Sequence, residues 1–271
     1  MGSIEGIKVL AFDVFGTCVD WRSSVTQELA DKANGKVTSA TFQSTAEEPK
    51  GRVLAMTEKD WARFAQSWRD SYKSFCKTFR PRVMQWKSID QHHHDSLVEL
   101  LNQWELSGLY SEDEIKDLSQ AWHRLRPWDD TAEGIQRLGT RFRTATLSNG
   151  NRGLLEDLNA YGHLRFQTIL SAADFRAYKP NPEVYLGAAA AVACQPQEVA
   201  LVAAHLGDLE AARSCGLKTV YVERPGEEEW LPGEERFEKA REWVDIWISE
   251  TEGGFVELAN RLVGPATISS V

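Results

Sequence analysis

An apolar run, "IKVLAF" (7–12), climbs into Asp13 and stops, and "FGTCVD" (15–20) follows one residue on. A carboxylate just past a buried strand is either a cap or a nucleophile. Far along the chain, "LSNG" (147–150) sets the Ser148 hydroxyl and the Asn149 amide ahead of a helix start. Backbone N–H groups there favour an anion, or they form an ordinary N-cap turn. "YKPNPEVY" (178–185) puts Lys179 before Pro180. Proline biases its predecessor toward extended geometry, so the lysine stands on a loop, its ammonium either reaching a crevice or solvated. "AAHLGDLEAA" (203–212) places Asp208 at the entrance of a small-residue helix, as a site carboxylate or as a cap.

The elements decide whether these groups can meet. "FRTATLS" (142–148), "TILS" (168–171), "VALVA" (199–203) and "KTVYV" (218–222) read as strands, with helical patterns at 130–140, 152–160, 182–193 and 208–215 between them. Such alternation predicts an α/β fold built on a doubly wound parallel sheet. "VDIWIS" (244–249) and "GGFVELANRLV" (253–263) add a last strand and helix. Between the first strand and this region the character changes. From about residue 57 to 125 only amphipathic helical patterns occur. Thr57 opens a capping-box-like start, and Trp61, Phe64, Ala65, Trp68, Tyr72 and Phe75 follow at helical spacing on one face. Residues 90–104 and 111–125 read as two more helices, the second with a capping box at Ser111 and Glu114, and residues 35–52 read as a loop. The expected organisation is a core of 1–22 and 126–271 interrupted by a helical insertion, 23–125. Open α/β sheets bind ligands at the carboxyl ends of their strands. Asp13, Ser148 and Asp208 follow three separate strands, so all three converge on that edge.

Bulk properties narrow the partners. The chain has 271 residues, 42% hydrophobic and 26% charged, with a net charge of −9 and no offsetting basic stripe. This balance argues against nucleic acid and anionic membranes. Cys18, Cys76, Cys194 and Cys215 are scattered without a ligand cluster, which fits reduced thiols in a cytoplasmic protein. "HHH" (92–94) is expected on a solvated helix face, because consecutive side chains fan out by about 100° and cannot readily share an ion. The acidic stretch 224–243 is expected to be a solvated loop and helix. Trp21, Trp61 and Trp68 read as core packing, with an apolar pocket as the rival.

Taken in chain order, "FDVFGTCVD", "LSNG", "YKP" and "GDLEAA" resemble the haloacid dehalogenase superfamily, and most closely its 2-haloacid dehalogenase branch. The resemblance spans nearly the whole chain and makes the helical insertion a cap domain. It implies that Asp13 is the nucleophile, oriented by Thr17, and that Ser148 and Asn149 bind the substrate carboxylate or position its reacting end. It further implies that Lys179 neutralises charge at Asp13, that Asp208 holds Lys179 or helps activate water, and that Tyr185 is a site residue. The phosphatase majority of the superfamily carries a second aspartate, a general acid, where this chain has Phe15. A departing alkoxide needs that proton and a halide does not. An aromatic ring there also dries the pocket. Phosphatases hold magnesium partly through a carboxylate at the position of Ala204, so no metal and no other cofactor is expected.

The expected reaction is therefore displacement of halide from a short 2-haloacid by Asp13, then hydrolysis of the aspartyl ester to a 2-hydroxy acid. The partner is a small halogenated carboxylic acid, and a homodimer stays open. Arg69, just off the aromatic face that Arg63 opposes, is the candidate for halide or carboxylate, with Arg22 second and a surface role as the rival for Arg69. The branch has serine and asparagine where this chain has Ala203 and His205. His205 would take the asparagine's part or act as a base. The competing readings are a magnesium-dependent phosphatase and a non-catalytic binding protein on the same fold.

Overall fold

The computed structural model describes residues 4–39 and 47–266. In chain order the elements are β1 (Val9–Phe12), β2 (Val19–Asp20), α1 (Trp21–Thr38), α2 (Glu47–Ala55), α3 (Glu58–Thr78), α4 (Ile89–Gln103), α5 (Glu112–Ser119) and β3 (Arg126–Pro127). There follow α6 (Thr131–Leu138), β4 (Arg143–Thr146), α7 (Arg152–Tyr161), α8 (Pro182–Ala191), β5 (Val199–Ala203), α9 (Leu206–Ser214), β6 (Lys218–Val222), α10 (Glu235–Trp243), β7 (Ile246–Ile248) and α11 (Gly254–Val263). The chain divides into two compact units, Met1–Asp20 with Arg126–Val271, and Trp21–Leu125.

The first unit is built on a parallel sheet in the order β4-β1-β5-β6-β7. β1 lies between β4 and β5, with Phe12 in register with Thr146 and Val202. Val9, Leu10, Ala11 and Phe12 are all buried, as a central strand covered on both faces requires. The chain moves from β1 to β4 on one side and then to β5 on the other, so the strand order reverses beside β1 and opens a crevice at its carboxyl end. "TILS" is not a strand. It touches the sheet only through single bridges, Ala145 to Thr168 and Ser148 to Ser171. The Thr146 hydroxyl takes the ladder's place there, bonding the carbonyl and the N–H of Leu170 at 3.0 Å each.

In the second unit α1 is a helix that the sequence patterns did not signal, and it runs into the expected loop. α2 occupies the end of that stretch, with Pro49 in its first turn, where an N–H has no intrahelical partner to lose. Residues 40–46 of the expected loop lie outside the described residues. The Ser111–Glu114 capping box forms as expected. Trp21, Trp61, Phe64, Trp68 and Tyr72 are buried core residues.

The "HHH" run departs from the expected solvated face: His92 and His93 are buried and only His94 turns outward. Positions 89, 92, 93, 96, 97 and 100 form one stripe of α4, and the two histidines fall on it. His92 stacks on Phe75 at 4.5 Å, and His93 stacks on Trp122 at 4.6 Å. Neither ring nitrogen of His93 has a hydrogen-bond partner among the described residues. Burial pushes His93 well below its ordinary value and, together with the Lys87 charge, brings His92 to about 4.

A histidine that resists protonation when folded but not when unfolded costs stability as pH falls below its unfolded value, about 6.5. The urea unfolding midpoint is therefore expected to fall from pH 6.5 toward pH 4. His93→Phe, which fills the same stack without a titrating ring, should flatten that fall. Equal pH dependence in both proteins would contradict this account.

Candidate active site

Asp13 stands one residue past β1, and its N–H continues the ladder to the Val202 carbonyl at 3.0 Å. Its carboxylate is nearly buried and fully engaged. Oδ1 accepts from Lys179 Nζ at 2.9 Å, and Oδ2 accepts from the Thr17 hydroxyl at 2.8 Å. His205 Nδ1 lies 3.3 Å from Oδ2. The Thr17 hydroxyl in turn accepts the Ala204 N–H at 3.0 Å, which ties the loop after β1 to the end of β5.

That loop is held from outside as well. The Trp128 indole donates to the Gly16 carbonyl at 3.0 Å, and the Thr131 hydroxyl donates to the Cys18 carbonyl at 3.0 Å. Arg224 Nε donates to the Thr17 carbonyl at 3.0 Å while its two terminal nitrogens fork the Asp130 carboxylate at 2.6 and 2.8 Å. A bidentate pair of this kind fixes direction as well as distance. Gly16 itself has φ +82°, a left-handed conformation that glycine adopts at no steric cost.

Lys179 reaches the crevice from the loop before α8. Asn149 sets that loop: its Oδ1 accepts the Lys179 N–H at 2.7 Å. The Lys179 ammonium then bridges Asp13 and Asp208, 2.6 Å from the latter. Asp208, in the first turn of α9, also accepts from the Tyr185 hydroxyl at 2.6 Å. Ser148 is fully buried, and its Oγ accepts the Gly150 N–H at 3.4 Å. Phe15 is buried too, its ring edge close enough to Gly150 that a Cβ there would lie 3.2 Å away.

His205, the N-cap of α9, bridges two carboxylates. Its Nδ1 faces Asp13 and its Nε2 lies 3.2 Å from Glu227 Oε2. Glu227 comes from the stretch expected to be solvated, yet it is buried, as is Arg224. The reason is tertiary: the Arg224–Asp130 fork pins the start of the segment against the loop after β1. No spacing in "RPGEEEW" marks Glu227 apart from its acidic neighbours, so sequence patterns carry no signal for it.

The charges set the protonation states. Burial pushes Asp13 up, but the Lys179 ammonium and the His205 hydrogen bond outweigh it and hold the carboxyl far below the usual range. Burial likewise disfavours the Lys179 cation, and the Asp13 and Asp208 charges more than reverse this. For His205, burial is again overcome, by hydrogen bonds to Asp13 and Glu227 and by their charges, which raise it to about 9. Burial and the Asp208 charge raise Tyr185 well above its ordinary value, which keeps it a donor. The site thus presents an ionised, oriented carboxylate beside a protonated lysine and a protonated imidazole.

Arg69 and Arg22 belong to the helical unit. Arg69 is buried, with its guanidinium 4.7 Å from the Tyr72 ring and 5.5 Å from the Trp21 ring, so it is not the surface residue the rival reading expected. Arg22 sits over Trp21 at 4.5 Å and bonds Gln66.

Residues 7–216 match the haloacid dehalogenase-like hydrolase family. The chain is 27% identical over 227 residues to (S)-2-haloacid dehalogenase 4A of Burkholderia cepacia, covering 82% of this chain and 86% of that protein. Among solved structures it is similar to the L-2-haloacid dehalogenase PA0810, with 33% identity, a TM-score of 0.76, and 95% and 99% of the two chains covered. It is also similar to the defluorinating L-2-haloacid dehalogenase Rha0230, with 28% identity, a TM-score of 0.75 and 95% of each chain covered.

If Lys179 holds Asp13 ionised, Lys179→Met should raise the Asp13 titration by about 1–3 pH units, the effect of losing an adjacent opposite charge. Carbon-13 NMR of labelled aspartate carboxyls would follow it. An unmoved Asp13 resonance would place the stabilisation elsewhere.

Proposed function

Because the chain belongs to the haloacid dehalogenase-like hydrolase family, we propose that it is a hydrolytic dehalogenase of short 2-haloacids, of the haloacetate or 2-halopropionate type. One observation carries the reading: the ionised Asp13 is flanked at position 15 by a buried phenylalanine rather than by a carboxylic acid. Phenylalanine at that position supplies no proton to a leaving group, and a halide is the leaving group that departs without one. That the similar proteins are 2-haloacid dehalogenases supports the same reading.

In the first step an Asp13 oxygen attacks the carbon bearing the halogen. A C–O bond forms, the C–X bond breaks, and the electron pair leaves with the halide. In the second, water attacks the Asp13 carbonyl carbon, and the alkyl oxygen departs as the hydroxyl of a 2-hydroxy acid. Thr17 would orient Asp13, and Lys179 would keep it ionised. Asp208 and Tyr185 would hold Lys179. Asn149 would fix the lysine loop, while Ser148 would meet the substrate carboxylate. His205 would serve the water, since Ala203 offers no side-chain hydrogen bond. Phe15 would keep the nucleophile dry. Arg69, a buried guanidinium, is the arginine we assign to halide or carboxylate.

The donor set does not suit magnesium. Phe15 and Ala204 stand where the phosphatases of the family carry carboxylates, and the Lys179 ammonium already joins the two that remain. Four free cysteines suit the reducing cytoplasm we propose as its setting.

Chloroacetate and 2-chloropropionate should release halide with the purified protein, and Asp13→Asn should abolish the release. A single turnover in heavy-oxygen water should mark Asp13, as mass spectrometry of its peptide would read. No halide from any short haloacid, or label confined to the product, would overturn the proposal.

A further inference from the structure

We propose that Glu227 and His205 form a dyad on Asp13, in which Glu227 is a positioning residue that orients the imidazole to activate the water that opens the aspartyl ester. The inference rests on the dehalogenase reading and deepens its second step.

The geometry is specific. The two ring nitrogens of His205 face two different carboxylates, Asp13 at 3.3 Å and Glu227 at 3.2 Å. The Glu227 side chain is 3% exposed. It lies so close to the loop after β1 that a Cβ on Gly16 would sit 2.0 Å from its Oε2. Only glycine leaves room for the carboxylate there. The next residue, Glu228, accepts the Leu206 N–H at 2.7 Å and the Trp230 N–H at 2.7 Å. One acidic residue therefore fixes the ring of His205, and its neighbour fixes the backbone just after it. The ionisable groups on the surrounding elements are Asp13 after β1, Lys179 before α8, Tyr185 on α8, Asp208 on α9, and Arg224, Glu227 and Glu228 on the segment after β6.

Between two anions the imidazole carries both protons in the resting site. Alkylation turns Asp13 into a neutral ester. One of the two charges that hold the protons vanishes, and Nδ1–H loses its anionic acceptor. The Nδ1 proton then passes to solvent, while Glu227 retains Nε2–H and so fixes the tautomer with Nδ1 bare. Water attacks the ester carbon and gives a proton to Nδ1. The departing alkyl oxygen takes that proton as the Cγ–O bond breaks. The new carboxylic acid of Asp13 then returns its own proton to Nδ1 and restores the resting charges. The sum is R–X plus water giving R–OH, halide and one proton. Formation of the covalent ester itself arms the base, and the cycle's proton leaves with the halide rather than with the hydroxy acid.

Single-turnover mixing of the full chain with 2-chloropropionate, read by a pH indicator, halide assay and mass spectrometry of the adduct, tests this. In the unmodified enzyme one proton per site should appear with the halide and before the hydroxy acid. Glu227→Gln should still yield one halide and one Asp13 adduct per site, with adduct hydrolysis slowed about 100-fold, the low end for general base catalysis. Its pH profile should shift. His205→Asn should remove the early proton, and the double variant should hydrolyse no more slowly than His205→Asn alone, because Glu227 acts through the ring. Proton release in step with the hydroxy acid, or an unslowed adduct in Glu227→Gln, would overturn the dyad while leaving the dehalogenase reading intact. If Glu227→Gln fails to fold, the timing of proton release in the unmodified enzyme decides alone. Absence of any adduct in the unmodified enzyme would remove the dehalogenase reading itself.

Discussion

The Lys179 ammonium between the Asp13 and Asp208 carboxylates is the interaction on which this site depends. All three side chains are about nine-tenths buried, and stripping water from an ion costs several kcal/mol unless geometry returns it. Such a triad does little for stability on its own account. What it requires is that every backbone around it be held still. The Asn149 side chain fixes the lysine backbone, Tyr185 fixes Asp208, and Thr17 joins Asp13 to the end of β5. The Arg224–Asp130 fork, distant in sequence, secures the loop that carries Thr17. The parallel sheet matters because it brings the carboxyl ends of β4, β1 and β5 side by side, so that loops distant in sequence can share one cation.

What the amino-acid sequence reveals of this arrangement follows from how local each signal is. β1 is legible because four buried residues end abruptly in a charge, and Asp208 because it opens a small-residue helix just past a strand. Lys179 is legible because Pro180 biases it toward extended geometry and so onto a loop. The doubly wound sheet follows from the same alternation of short apolar runs and helical stripes. "TILS" looks like a strand, but a threonine hydroxyl on β4 captures the backbone groups that a ladder would use. The paired histidines of α4 look solvated by type, yet their position on the helix stripe buries them against Phe75 and Trp122. α1 escapes detection because its polar residues dilute the apolar stripe of Trp21, Val25, Leu29, Ala33 and Val37.

Glu227 is the instructive omission. It follows His205 by 22 residues, across a helix and a strand, inside a run of three glutamates. Nothing in residue type or spacing separates it from Glu228 or Glu229. Its burial is decided by a tertiary fact, the absence of a side chain at Gly16, and by the arginine fork that brings its loop home. The glycine whose left-handed φ shapes the loop after β1 thus also makes room for a carboxylate.

The replacement of a neutral amide by an imidazole alters the charge logic of the centre. An asparagine can place a water but cannot change state when the nucleophile does. An imidazole between two carboxylates can, because its proton affinity is set by both of them and, in the proposed first step, one would be consumed. With Ala203 offering no hydroxyl and Phe15 no acid, the imidazole would be the group to exchange a proton with the water of the proposed ester. Such a centre would not need two separately tuned groups for its two steps. The same charge that sharpens the nucleophile at rest would, once spent, release the base.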